Sequence, residues 1–275
     1  MTAGRLLAAV FAGTALFAAS TFQAEIAEWR KAREAELQRD GGWLTVTGLF
    51  WLREGVNRFG ADASSDIVLP DGPARAGEFT LRNGKVTVAM DGSARAIQPD
   101  SSDVVKAGRL SLFVIQRGDR YGIRLKDPES RNRRQFHGLD YFPANEAYRV
   151  TARFVAEPRK IPILNVLGQT EQDECPGYAV FRLRGQELRL YPVLEDPGAK
   201  SLFFIFRDLT SGKETYGAGR FLDTEDLPRG GRIVLDFNKA YNPPCAFTAY
   251  ATCPLPPKEN RLPVRIEAGE KTYGH

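Results

Sequence analysis

The chain has 275 residues, of which 43% are hydrophobic and 26% are charged. These values are typical of a globular protein with one large domain or two small ones. Lys and Arg exceed Asp and Glu by only 38 to 34, and the excess is dispersed along the chain, which argues against a protein that binds nucleic acid.

Residues 1–20 have the three parts of a secretory signal peptide. Arg5 supplies the positive charge, residues 6–17 are apolar, and Ala18-Ala19-Ser20 offers small residues for cleavage. The apolar run is shorter than the ~20 residues that span a bilayer. We therefore expect an exported protein, periplasmic or extracellular, that begins near Thr21 and has no transmembrane segment after cleavage.

One amphipathic helix is predicted within residues 21–42. Apolar side chains recur at Ile26, Trp29 and Leu37 among charged residues, and the pair Gly41-Gly42 is a typical helix stop.

From Trp43 onward the pattern changes to short runs of β-branched and aromatic residues, which predicts strands. Asn83-Gly84, Gly118-Asp119 and Arg184-Gly185-Gln186 are typical of hairpin turns. Hardly any helix is predicted between these strands, so the fold class is mainly β, an antiparallel sandwich or barrel-like fold. Prolines after residue 157 suggest two packed β subdomains, residues 43–156 and 157–275.

The three cysteines suit an oxidising compartment. Seven residues separate Cys245 from Cys253, a spacing that a disulfide could close and that would leave Cys175 over. Buried thiols are the alternative. The sequence has only two histidines, His137 and His275, and no C-x-x-C pair, so we expect no metal site. It also has no phosphate loop or dinucleotide motif, so we expect no cofactor.

The last third of the chain carries the candidate ligand-binding residues, which belong to two predicted strand ends. They are Asp208, Tyr216, Arg220, Asp236, Asn238, Tyr241 and Asn242. A guanidinium beside hydroxyl and amide groups can recognise a carboxylate or a phosphate, which predicts a site for an anionic ligand. The alternative is that Arg220 pairs with Asp208 or Asp236 within the fold, and that the asparagines hold loop backbone.

Long motifs connect this region to a known family. They are RDLTSG at 207–212, ETYGAGRFL at 214–222, DFNKAYNPPCAF at 236–247, CPLPP at 253–257, NRL at 260–262 and AGEK at 268–271. Together with Trp43-Leu44, Gly48-Leu49, Trp51-Leu52 and Gly60, they resemble the bacterial and archaeal family called domain of unknown function 1684. The resemblance covers nearly all of the chain after residue 20, and it implies no particular activity.

A second resemblance lies in Phe59-Gly60 and in SDIVLP at 65–70, which are similar to the opening strands of forkhead-associated domains. It implies a small β-sandwich module. Ala61 stands where those domains have arginine, and Ala74-Arg75-Ala76-Gly77 replaces their serine-arginine-x-histidine pattern. The departures argue against phosphopeptide binding.

Three functions remain open from the sequence. The first is an exported binding module for a small anionic or amphipathic molecule. The second is a hydrolase-like enzyme that uses Asp208 or Asp236 as acid or base at the same place, and the third is an envelope protein with a structural or interaction role. A carboxylate with a raised pKa in a pocket would favour the enzyme.

Overall fold

The computed structural model describes residues 6–194, 196 and 198–274, with side chains from residue 21 onward. Arg5 and His275 lie outside these residues. As predicted, the fold is mainly β, its sheets are largely antiparallel, and an α-helix precedes the strands.

The chain forms two compact units. The first unit comprises the described residues of Met1–Ala35, Gly138–Ala246 and Cys253–His275, and the second comprises Glu36–His137 and Phe247–Thr252. The predicted boundary between residues 156 and 157 falls within a long strand of the first unit.

Helix α1 extends over Leu6–Gln38 and contains most of the segment predicted as an amphipathic helix. Gly41, with a φ of 74°, follows its end, and the Gly42 N–H donates to the Arg39 carbonyl at 2.9 Å. These glycines stop the helix as the sequence predicts. Phe22 and Ile26 are buried, so this part of the helix packs against other residues.

The second unit contains nine strands and a short helix. They are β1 (Val46–Trp51), β2 (Gly55–Gly60), β3 (Ile67–Val68), β4 (Gly77–Arg82), β5 (Lys85–Met90), β6 (Ser93–Ile97), β7 (Val105–Ala107), β8 (Leu110–Arg117), β9 (Arg120–Lys126) and α2 (Arg131–Arg134). The strand orders are β1-β9-β8-β7 and β3-β2-β4-β5-β6, in which β2 and β3 run parallel. Apolar side chains of both sheets form one core, with Phe59 against Phe79.

The first unit contains the remaining strands. They are β10 (Arg149–Leu164), β11 (Thr170–Leu183), β12 (Gln186–Leu190), β13 (Phe203–Phe206), β14 (Arg220–Asp223) and β15 (Arg232–Asp236). Four of them form a sheet in the order β12-β11-β10-β15, and β13 pairs with β14. Phe181, Phe206 and Phe237 pack together in the core of this unit.

Two of the predicted hairpin turns have the backbone that their residues favour. Asn83-Gly84 joins β4 to β5, and Arg184-Gly185 joins β11 to β12, with positive φ at all four residues. Two consecutive left-handed residues are the mark of the type I′ turn, whose twist matches that of the strands.

Within the described part of the chain, no helix combines the length and the apolar character that crossing a bilayer requires.

Candidate functional site

Asp208 and Arg220 form an ion pair in the interior of the first unit. Arg220 Nη2 lies 3.4 Å from Asp208 Oδ1, and both side chains have no exposed surface. Arg220 begins β14 opposite Phe206, and Gly219 precedes it with a φ of 111°. A Cβ atom at Gly219 would lie 2.6 Å from the Phe206 carbonyl oxygen, so only glycine lets the chain bring Arg220 inward here.

Both terminal nitrogens of Arg220 also donate to backbone carbonyls of the C-terminal segment, whereas its Nε has no hydrogen-bond partner among the described residues. Nη1 donates to the Ala268 carbonyl, and Nη2 donates to the Ile266 carbonyl at 3.0 Å. Asp208 in turn accepts from the Ile266 N–H at 2.6 Å and from the Thr210 hydroxyl at 2.8 Å. Burial lowers the pKa of the Arg220 guanidinium, and the Asp208 carboxylate opposes that effect. The pair therefore ties the C-terminal segment to β13 and β14.

Asp236 and Asn238 belong to a second polar cluster, at the end of β15. Asp236 accepts from Arg149 Nε at 2.7 Å and from Asn238 Nδ2 at 2.8 Å. Asn238 is fully buried and exchanges hydrogen bonds with the backbone of Asn145, accepting from its N–H and donating to its carbonyl, each at 2.9 Å. This asparagine holds the chain that leads into β10.

Asn242 belongs to a third cluster, centred on Glu270. Both residues are fully buried. Glu270 accepts from the Asn242 N–H at 2.7 Å and from Arg33 Nε at 2.9 Å, and Asn242 Nδ2 donates to the Lys271 carbonyl at 2.7 Å. An arginine of α1 is thereby fixed to the C-terminal segment.

The two candidate tyrosines have separate partners. Tyr241 donates its hydroxyl to Asp223 Oδ2 at 2.7 Å, and Tyr216 donates to the Cys245 carbonyl at 3.2 Å. The Cys245 N–H donates to Cys253 Sγ at 3.1 Å, so the two cysteines predicted to pair lie side by side. Burial raises the pKa of Tyr216, and so do the charges of Cys245 and Cys253.

The seven candidate residues thus divide among several clusters and do not share one solvent-filled hollow. Arg220 is sealed with Asp208, which agrees with the alternative that the two residues pair within the fold. Asp208 accepts from the Thr210 and Ser211 hydroxyls, and its N–H donates to Ser211 Oγ, so the turn at residues 210–212 is held from inside.

One hollow of the first unit lies beside these clusters, against β10, the end of β14, the loop that follows it, and β15. We call it the β15 hollow and define it by Arg149, Asp223, Leu227, Val234, Asp236 and Lys239. Its volume is about 450 Å³, which is within the range of small-molecule sites. Of the seven candidate residues, only Asp236 lines it directly, and Tyr241 reaches it through Asp223.

The β15 hollow is lined by five acids and four bases, most of which are paired. Arg149 bonds to both Glu25 and Asp236, and Lys239 bonds to both Glu25 and Glu225. Hydrogen bonds from Arg149 and Lys239 lower the pKa of Glu25 to about 2. Protein carboxylates already bind these two cations, so the hollow is not simply an anion-binding site.

Asp223 differs from the other acids of the β15 hollow. Among the described residues no Lys or Arg forms an ion pair with it, and the Tyr241 hydroxyl is its hydrogen-bond partner. Desolvation raises the pKa of Asp223, and the hydrogen bond from Tyr241 and the charge of Arg33 only partly oppose this. Leu227 and Val234 in the same wall are 43% and 49% exposed, so the wall offers apolar surface to solvent.

Sequence reasoning missed Asp223, Leu227 and Val234. A signal was present in the acidic run Asp223-Thr224-Glu225-Asp226, which directly follows the family motif, and in the apolar Val234 at an outward position of β15. Within the described residues no group of three or more His, Cys, Asp or Glu side chains could hold a metal ion.

A family model described as protein of unknown function (DUF1684) matches residues 134–271, which include both the polar clusters and most of the β15 hollow. The solution NMR structure of an uncharacterised protein of Haloarcula marismortui is 35% identical in sequence, with a TM-score of 0.43. The match covers 51% of this chain and 79% of that one. No protein with a curated description gave a significant match.

Proposed function

The chain belongs to the family described as protein of unknown function (DUF1684), and we propose that it is an exported module that binds a small amphipathic molecule in the β15 hollow. The single observation that supports the proposal is that exposed apolar side chains and an acid without an ion pair line the same hollow. Leu227 and Val234 lie in the same hollow as Asp223, whose carboxylate has a raised pKa.

The chemistry of the wall indicates the two ends of the ligand. The apolar body packs on Leu227 and Val234, because covering exposed apolar surface contributes roughly 25 cal/mol per Å². An ammonium group or another strong donor binds Asp223, because this carboxylate is open to solvent and has one hydrogen bond, from Tyr241, and no ion pair among the described residues. A purely anionic ligand is less well supported, because Arg149 and Lys239 already bind carboxylates.

Phenylethylamine is the probe that follows from this chemistry, with phenylpropionate and acetate for comparison. We expect phenylethylamine to raise the melting temperature of the wild type, and Asp223→Asn to weaken its binding about 10–100-fold. Asp140→Asn is the matched control, since this exposed acid lies outside the hollow. Equal binding by the wild type and Asp223→Asn, or no binding of either amphipathic probe, would refute the proposal.

Binding should also depend on pH in a defined direction. The ammonium ion binds the ionised form of Asp223, and the pKa of Asp223 is raised by desolvation. We therefore expect the affinity for phenylethylamine to fall as the pH is lowered through that raised pKa, and to be constant at higher pH as long as the amine stays protonated. In Asp223→Asn the remaining affinity should show no such transition.

The raised pKa of Asp223 also supports a second candidate, a hydrolase-like enzyme in which Asp223 is the acid or base. Asp208 is sealed from solvent and Asp236 is held by Arg149 and Asn238, so Asp223 replaces both in this role. Release of nitrophenolate from 4-nitrophenyl butyrate by the wild type, lost in Asp223→Asn and kept in Asp140→Asn, would favour the enzyme over the binding module.

Export and the cysteine pair can be tested together. We propose that residues 1–20 are removed and that Cys245 and Cys253, which lie side by side, oxidise to a disulfide in the periplasm or outside the cell. Intact mass spectrometry of the protein from the envelope or medium, without reductant, should give the mass of a chain that begins near Thr21, less two hydrogens. The full-length mass would contradict the removal of residues 1–20. A mass that does not change on reduction would contradict the disulfide.

A further inference from the structure

The second unit has a hollow of its own. Its residues precede the long family motifs of residues 207–271 in the sequence. It lies beside β1, β3, β9 and α2, and we call it the α2 hollow, defined by Thr47, Phe50, Val68, Leu125, Arg131 and Arg134. Its volume is about 450 Å³. All the residues that line it belong to the second unit.

One part of the α2 hollow is apolar. Leu125 is buried at its floor, Phe50 is half-buried, and Val68 is 44% exposed although it is a large apolar side chain. Val68 belongs to β3, a strand of two residues that pairs only with β2. Short strands with open apolar side chains leave a patch that a ligand can cover.

The charged part of the hollow has positive charge in excess. Arg109 bonds to Asp127 through Nε at 3.0 Å and through Nη2 at 3.2 Å, and it also lies 3.7 Å from Glu129. Arg109 is therefore shared by both acids that line the hollow. Among the residues that the structure describes, no acid forms an ion pair with Arg131 or Arg134.

Arg134 nevertheless acts electrostatically on this side of the unit. Burial raises the pKa of Asp127, but the hydrogen bonds from Arg109 and the Glu129 N–H, with the charges of Arg109 and Arg134, hold that pKa below its ordinary value. Arg134 is exposed, and its guanidinium keeps donors for a further anion.

Thr47, which lines the same hollow, has an unbonded hydroxyl. Its Oγ1 atom is buried and has no hydrogen-bond partner among the described residues. A buried hydroxyl left unbonded costs about 1–3 kcal/mol, so native structures nearly always satisfy it. Because the atom is closed to solvent, the Thr47 side chain has to rotate toward the hollow before a ligand oxygen can supply that partner.

We infer that the α2 hollow binds an amphipathic anion, a molecule with an apolar chain and a carboxylate or similar head. The chain covers Phe50, Val68 and Leu125, and the head binds Arg134 with support from Arg131. Electrostatic complementarity selects the anion, because the three arginines that line the hollow outnumber its two acids. This ligand is opposite in charge to the one proposed for the β15 hollow, and the two proposals are independent.

The test uses decanoate and the full-length protein, in isothermal titration calorimetry at one ionic strength. Decanol carries the same chain without the charge, and acetate carries the charge without the chain. We expect decanoate to bind the wild type, and both decanol and acetate to bind at least about tenfold more weakly.

Two variants locate the site, and neither residue has a buried side chain on which folding depends. Arg134→Gln should weaken decanoate binding about tenfold by removing the charged donor, and Val68→Asp should weaken it at least as much by placing a negative charge in the hollow. Arg82→Gln is the matched control, because Arg82 is an exposed arginine of the same unit outside the hollow.

Three results would overturn the inference. The first is no binding of decanoate to the wild type, and the second is equal binding by Arg134→Gln, Val68→Asp and Arg82→Gln. The third is binding of acetate as tight as that of decanoate, which would indicate a plain anion site. Circular dichroism of each variant confirms that it is folded before its affinity is compared.

Discussion

Replacing Asp208 by alanine is expected to lower the free energy of unfolding by about 3–5 kcal/mol. The change leaves the Arg220 guanidinium in the interior without its carboxylate and removes the acceptor of the Ile266 N–H. Taking one partner from a buried ion pair is costly because the other charge stays desolvated. Since a domain is stable by only ~5–15 kcal/mol, the loss should be visible in urea unfolding followed by circular dichroism.

Two further variants separate the ion pair from the general effect of truncation. Asp140→Ala removes an exposed acid of the same unit and should change the free energy of unfolding by no more than ~0.5 kcal/mol. Combining Asp208→Leu with Arg220→Met removes both charges and should recover part of the loss, because apolar residues often replace a buried pair at little cost. A double variant less stable than Asp208→Ala would show that the pair is not the main cause.

Replacing Glu270 by alanine is expected to have an effect of similar size, about 3–5 kcal/mol. Glu270 accepts from Arg33 of α1 and from the Asn242 N–H, and no part of its side chain is exposed. Without it, Arg33 loses its carboxylate partner and the Asn242 N–H loses its acceptor. Helix α1 should then be held less firmly, and amide exchange of residues 22–35 should accelerate.

Glu28→Ala is the control for this prediction, because Glu28 is an exposed acid of the same helix. It should leave both the unfolding free energy and the exchange of α1 nearly unchanged. If Glu270→Ala behaved like Glu28→Ala, the contact between Arg33 and Glu270 would not be what fixes the helix.

The sequence predicted the fold class well because the signals for it are local. Alternating apolar residues identify strands, and the turns at Asn83-Gly84 and Arg184-Gly185 follow from the ability of these residues to take positive φ. The helix stop at Gly41-Gly42 is local for the same reason.

The prolines near residue 157 are a local signal from which the structure could not be predicted. They suggested a boundary, yet Pro158 and Pro162 both lie within β10. Pro158 lies where the pairing of β10 with β11 shifts register, and Pro162 lies beyond Arg153, after which β10 no longer pairs with β15. Proline is tolerated at a bulge and on an edge, and strand pairing decides both positions.

The candidate site could be predicted only in part. Asp236 and Tyr241 were identified from the motif, but the motif does not reveal that Asp208 and Arg220 face inward. Their direction depends on the β13–β14 register and on the C-terminal carbonyls, which are some fifty residues away in sequence. One hollow contains Asp223, Leu227 and Val234 because the fold brings the end of β14 and the strand β15 to β10. This arrangement joins parts of the chain that are distant in sequence.

Hydrogen exchange of the wild type with and without phenylethylamine shows where the ligand binds. We expect slower exchange of backbone amides in residues 223–239, around the β15 hollow, and no change in residues 207–222, where Asp208 and Arg220 are sealed. Protection confined to residues 207–222 would contradict it, because the ligand would then be bound where we find only an internal brace.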